Sequence, residues 1–194
     1  MTTLDLKQIQ ISSAIDLFSK GEINQALDAV QDLLKDYPNE PVLFNIKGAC
    51  YADLGQLDVA VTNYKEAITI KPDYAKAHFN LAGSLHDLGQ LETAVQSYQK
   101  AIEIDASYTE AYNNLGNVYQ ELKQFDSAVQ SYQKALEIKP DYVAAQYSLG
   151  NTFMELGQLE EAVKSYKAAL KLKPDFVEAI NNLGITFFKL HQLD

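Results

Sequence analysis

Apolar residues in this chain recur at spacings of three and four, the pattern of helices that bury one stripe, and the stripe breaks twice in every 34 residues. With Lys7 as the first place, the repeats are 7–40, 41–74, 75–108, 109–142 and 143–176, followed by a half repeat, 177–194. Glycine fixes the frame. Gly48, Gly116, Gly150 and Gly184 share place eight, and Gly21, Gly55, Gly89 and Gly157 share place fifteen. Pro38, Pro72, Pro140 and Pro174 share place thirty-two, and Ala26, Ala60, Ala94, Ala128 and Ala162 share place twenty. Each repeat therefore predicts two helices, the first over places one to about fourteen. Glycine at place fifteen suits a stop, because it adopts positive φ at no steric cost. An acid (Asp58, Glu92, Asp126, Glu160) opens the second helix, and the proline prevents its continuation. Asp73, Ser107, Asp141 and Asp175 are the expected N-caps, with a capping box from Ser107 to Glu110. Residues 1–6 read as an N-terminal tail. No period-two strand pattern occurs.

Small residues predict where helices meet. Glycine or alanine at places eight and twenty lets backbones approach, with bulky residues at places four, seven, eleven and twenty-four filling the space around them. In the fourth repeat these are Tyr112, Leu115, Gly116, Tyr119, Ala128 and Tyr132. Nine of the twelve tyrosines sit at three repeat places, which assigns them to packing rather than to a stacking surface.

These residues resemble the tetratricopeptide repeat signature over Lys7–Asp194. Asn113-Asn114-Leu115-Gly116-Asn117-Val118-Tyr119 and Asn181-Asn182-Leu183-Gly184 are similar to the repeats of O-linked N-acetylglucosamine transferase-like proteins. The resemblance implies an all-α fold, a right-handed α-α superhelix of five helix pairs plus one final unpaired helix. The first repeat departs from it, with Gln10, Ser13, Ala14 and Leu17 at signature places, and is expected to be a capping repeat with a wet outer side. Lys123 replaces a glycine and Ala106 a proline, and each is expected to lengthen or shift a helix end.

Composition narrows the function. The net charge is −10 and the sequence pI about 4.7, so the chain lacks the basic patches that phosphate binding needs, and nucleic acid is not an expected partner. Apolar residues make up 47%, enough for a core, yet no run approaches the ~20 needed for a membrane span. The single Cys50 excludes an internal disulfide, and a cytoplasmic location is expected. His78 and His86 are eight apart, where a helical metal pair wants four, and there is no phosphate loop or nucleophile elbow. The segment is thus expected to be no enzyme by itself and to need no metal or cofactor.

What remains is the concave face that first helices line in repeat proteins, used for protein or peptide partners. Asn80, Asn114 and Asn182 share place six, flanked by Asn113, Asn117, Asn151 and Asn181. An amide donates and accepts, so such a row suits the backbone of an extended peptide, as in the transferase-like repeats; the alternative is that it satisfies local helix groups. Asp53, Asp87, Glu121 and Glu155 share place thirteen and favour a basic or amide-rich ligand, unless they are simply a solvated rim. Lys76 completes the candidate set; with Lys189 it is too little for a carboxylate clamp. Two further readings stand beside peptide binding. One is the recruiting arm of a larger glycosyltransferase-, sulfotransferase- or oxygenase-type enzyme encoded beyond residue 194, as the family resemblance implies. The other is a self-assembling scaffold. The half repeat reads as a truncated fragment of a longer array, with Gln192-Leu193-Asp194 opening a missing helix. The last helix would then expose Ile180, Leu183 and Phe187, and either fray or form a homo-oligomer contact.

Overall fold

The computed structural model describes residues 3–192. They form eleven helices and no strand: α1 (Thr3–Ser19), α2 (Ile23–Asp36), α3 (Pro41–Asp53), α4 (Leu57–Ile70), α5 (Ala75–Asp87), α6 (Leu91–Ile104), α7 (Thr109–Glu121), α8 (Phe125–Ile138), α9 (Val143–Glu155), α10 (Leu159–Leu172) and α11 (Val177–Leu190). The helices gather into two compact units, 3–104 and 105–192. The architecture is all-α, five helix pairs plus α11. Since α1 begins at Thr3, residues 3–6 are its first turn rather than a tail.

The stop at place fifteen is a Schellman motif. Gly55 N–H donates to Ala52 C=O (2.9 Å) and Gln56 N–H to Tyr51 C=O (2.8 Å), with Gly55 at φ +72°. The same pair of bonds recurs at Lys123, from Lys123 N–H to Gln120 C=O (3.0 Å) and from Gln124 N–H to Tyr119 C=O (2.8 Å), with Lys123 at φ +58°. It does not lengthen α7. The hydrogen bonds and the packed pair of helices impose the left-handed conformation on a residue that resists it. Ala106 likewise leaves α6 ending at the same repeat place as α4, α8 and α10.

The expected N-caps are corrected. The residues preceding α5, α7, α9 and α11 are Tyr74, Tyr108, Tyr142 and Phe176, and none makes a side-chain capping bond. Lys139-Pro140-Asp141-Tyr142 is a turn closed by Tyr142 N–H on Lys139 C=O at 3.2 Å, which puts proline at its second position and the aspartate at its third. Lysine Nζ then lies over the closing ring, 5.3 Å away for Lys139 on Tyr142 and 5.0 Å for Lys173 on Phe176. In 105–108 the same backbone bond, Tyr108 N–H on Asp105 C=O at 3.1 Å, is reinforced by Asp105 Oδ1, which accepts from Ser107 N–H (2.9 Å) and Oγ (2.6 Å). That removes Ser107 from the predicted capping box and holds the Asp105 carboxyl below its ordinary range.

Within a pair, the place-24 tyrosine lies on the place-eight glycine. A Cβ built on Gly48, Gly116 or Gly150 would stand 2.6 Å from the ring of Tyr64, Tyr132 or Tyr166. Those tyrosines are at most 2% exposed, and every place-20 alanine is fully buried. In the second unit the core runs continuously through Tyr132, Leu149, Phe153 and Tyr166 to Ala179. In the first, Ile11 and Ala14 of α1 join Val30, Leu43, Ile46 and Cys50. The first repeat is less polar outside than its sequence suggests, since Ile9 and Ile15 are exposed.

Between pairs, first helices meet one another. α3 touches α1 and α5 in the first unit, and α9 touches α7 and α11 in the second, whereas among the described residues no second helix touches another within its unit. First helices therefore line the inner side of each unit. α11 is a regular helix rather than a frayed end. Its Val177, Ile180, Ile185 and Phe188 are exposed, Phe187 marginally so, and Leu183 is half-buried against Tyr166 and its neighbours. Residues 193 and 194 of the expected helix opening lie outside the described residues.

Candidate functional site

Each inner face carries a cavity built at the same repeat places. In the first unit it is about 300 Å³, and its lining includes the polar Asp53, Lys76 and Asn80, the apolar Ile15 and Phe18, and Tyr64. In the second it is about 330 Å³, lined by Gln120, Asn151, Glu155, Tyr166, Asn182 and Ile185. Both combine a place-13 carboxylate, a place-24 tyrosine and the next repeat's place-six asparagine.

The carboxylates are placed against local preference. Asp53, Asp87, Glu121 and Glu155 are the last residues of α3, α5, α7 and α9, and all are exposed. A carboxylate there opposes the negative end of the helix dipole at a cost of roughly 0.3–1 kcal/mol each before screening. Helix stability therefore does not account for the row.

The predicted asparagines divide into three groups. Asn80 Nδ2 donates to Asn45 Oδ1 at 3.0 Å, and Asn182 Nδ2 donates to Asn151 Oδ1 at 2.9 Å and to the Tyr147 hydroxyl at 3.2 Å. Both Asn182 amide hydrogens and one of Asn80's thus join neighbouring first helices, and the carbonyl oxygens of both make no hydrogen bond there. Asn117 and Asn151 hold buried tyrosines. Tyr132 donates to Asn117 Oδ1 at 2.8 Å, with Gln120 Oε1 also in reach at 3.1 Å, and Tyr166 donates to Asn151 Oδ1 at 2.7 Å. Asn113 is only 5% exposed, so it lies beneath the face rather than on it. It donates to Asn114 Oδ1 at 3.2 Å, while its own Oδ1 is buried without a partner. Asn45, at the same place two repeats earlier, accepts from Asn80; for Asn113 the corresponding residue is Ser148, too short to repeat that bond. Asn114 is half-buried, and Asn181 and Lys76 are exposed.

Sequence reasoning missed the tyrosine hydroxyls and the α1 side chains at the cavities. The legible signal was at place nine, where Asn117 and Asn151 stand but the first unit has Ala49 and Gly83. Burial, reinforced by Asp53, pushes the Tyr64 hydroxyl well above the ordinary phenol range, and burial pushes Tyr166 up to about 12. Both are neutral donors at physiological pH. Cys50 is fully buried with its thiol raised to about 11, chiefly by burial and then by Asp53, which suits a core residue and not a nucleophile. His78 Nε2 lies 2.9 Å from Pro72 C=O, to which it donates, a bond that ties α5 to the preceding turn.

The geometry defines an array of helical hairpins that presents polar cavities on the inner faces of its first helices. Family profiles described as TPR repeat match residues 48–89, 83–123 and 150–190, and two described as tetratricopeptide repeat match 109–142 and 131–164. The chain belongs to the tetratricopeptide repeat family. It is 27% identical over 84 residues to the peroxisomal targeting signal receptor of Saccharomyces cerevisiae, a match covering 43% of this chain and 14% of that protein. It is 34% identical over 59 residues to Hsp70-Hsp90 organizing protein 2 of Arabidopsis thaliana, covering 30% of this chain and 10% of that protein. The chain thus spans far less than two thirds of these curated relatives. Among solved structures, MamA superposes with a TM-score of 0.77 at 28% identity, over 85% of this chain and 96% of that one. YrrB, described as a TPR protein with an unusual peptide-binding site, shares the fold at 22% identity and a TM-score of 0.75, over 89% of each chain.

Proposed function

We propose that this chain is a protein-binding module that holds an extended segment of a partner along the inner, first-helix faces of its units. The observation that carries this is the repeated constellation of carboxylate, asparagine carbonyl and buried tyrosine in a cavity of each unit. Carboxylate and carbonyl oxygens accept hydrogen bonds, so the partner contributes peptide N–H groups and basic or amide side chains. Relatives named as a targeting-signal receptor and as a chaperone organizer support a binding role. Among the described residues no helix is long and apolar enough to cross a membrane. A cytoplasmic location belongs to the same proposal.

Capture from a random nonapeptide library tests it, comparing the native chain with Asp53→Asn/Asp87→Asn/Glu155→Gln. These exposed changes leave the fold intact, and enrichment of Lys- and Arg-bearing peptides is expected to vanish. Identical peptides captured by both proteins would defeat the reading.

The open apolar face of α11 favours a second reading, self-association through that helix. Light scattering over a hundredfold concentration range checks it, and a strict monomer at the highest concentration excludes it.

A further inference from the structure

The four place-24 tyrosines are not equivalent. Tyr132 and Tyr166 give their hydroxyl hydrogens to the place-nine asparagine of their own repeat. In the second repeat that place is Ala49, too short and apolar to accept. Tyr64 is 2% exposed and makes no hydrogen bond among the described residues, yet it lines the first unit's cavity. The missing asparagine has a second consequence: the cavity presents the Ala49 methyl group where the second unit's presents the Asn151 amide. Ile15 and Phe18 of α1 line the same cavity, and Phe18 stands at the repeat place that the polar Gln120 occupies in the second unit's cavity.

We infer that the first unit's cavity is a specificity pocket for one large aliphatic side chain of an extended peptide, with the Tyr64 hydroxyl donating to a main-chain carbonyl beside it. The Tyr64 hydroxyl has no acceptor among the described residues and opens on the cavity, where a ligand carbonyl can take its hydrogen in place of water. A cavity of about 300 Å³ has room for a leucine-sized group and its peptide unit. The apolar wall takes the side chain. Asp53 and Lys76 both line the pocket and offset each other, so its charge favours neither a ligand carboxylate nor a basic side chain over a neutral one. The second unit's cavity, with Glu155 and no cation, lacks this balance. The assignment rests on the peptide-binding reading above and adds which residue the first unit selects.

The test uses the full chain and N-acetyl-leucine N-methylamide, followed by two-dimensional NMR. Saturable shifts are expected at Ala49, Ala52 and Tyr64, with none for the N-acetyl-lysine analogue. Tyr64→Phe removes one oxygen and is expected to weaken binding roughly five- to tenfold. Ala49→Asn supplies the internal acceptor found in the later repeats and fills the space. It is expected to abolish the shifts while leaving the melting temperature unchanged or higher. If that variant does not fold, Tyr64→Phe decides alone. Shifts that map elsewhere, or binding unaffected by either substitution, would overturn the pocket. Hexanamide binding as tightly as the capped leucine would overturn its assignment to a peptide. Library capture by the native chain together with no leucine site defeats only this inference. A leucine site without any peptide capture defeats the broader reading instead.

Discussion

Gly116→Ala places a methyl group where the helices of the fourth repeat leave no room. The new Cβ would lie 2.6, 2.8 and 2.8 Å from three atoms of the Tyr132 ring, against an ordinary contact distance near 3.5–4 Å. The ring must retreat by roughly an ångström, and it is fully buried with its hydroxyl held by Asn117. Overpacking of this kind costs about 1–3 kcal/mol, offset by up to about 1 kcal/mol from alanine's better helix propensity. A net loss of about 1–2 kcal/mol lowers the melting temperature by roughly 2–8 °C in a chain of this size. The third repeat shows how the clash is relieved. Ala82 occupies place eight there, Tyr98 is still 1% exposed, and the neighbouring place nine is Gly83, whose Cβ position lies 3.7 Å from the tyrosine hydroxyl. Places eight and nine thus change together between the third repeat, alanine–glycine, and the fourth and fifth, glycine–asparagine. The double variant Gly116→Ala/Asn117→Gly recreates the third repeat's pairing and is expected to melt above the single variant, despite losing a hydrogen bond worth about 1 kcal/mol. Thermal and urea unfolding followed by circular dichroism at the helix band reads both effects. A single variant as stable as the native chain, or a double variant no better than the single, would refute the coupling.

Three further outcomes are expected. Lys123→Gly relieves a left-handed backbone in a residue with a Cβ and should stabilise by about 0.5–1 kcal/mol, read as a higher urea midpoint; a lower midpoint would contradict it. The buried tyrosines have folded pKa values above their unfolded value, so their contribution is complete below pH ~10 and is lost as pH rises through the folded values. For Tyr166 the window runs from 10.0 to about 12, worth at most about 3 kcal/mol, and ultraviolet titration should show its ionisation coinciding with loss of helix. Gly116→Leu exceeds what Tyr132 can yield and should cost several times the ~1–3 kcal/mol of ordinary overpacking; an unchanged melting temperature would remove the glycine from the helix contact.

Periodicity alone determined the helix pairs, their stops and the small-residue contacts, because these depend on places fixed within one repeat. Gly116 had to face Tyr132 once both belonged to the same hairpin. The candidate site was only half legible for the same reason. The acidic row was visible as one residue per repeat, but the fate of each asparagine depended on what the adjoining place and the next helix supplied. Asn117 turned to a buried tyrosine, Asn80 to a neighbouring asparagine, and Asn113 sank beneath the face opposite a serine. Sequence spacing gives the side of a helix a residue occupies, while the partner across the gap is chosen by packing distance. Tertiary structure alone decided that Ala49, an unremarkable letter in the repeat, leaves the Tyr64 hydroxyl without an acceptor at a cavity lined by α1.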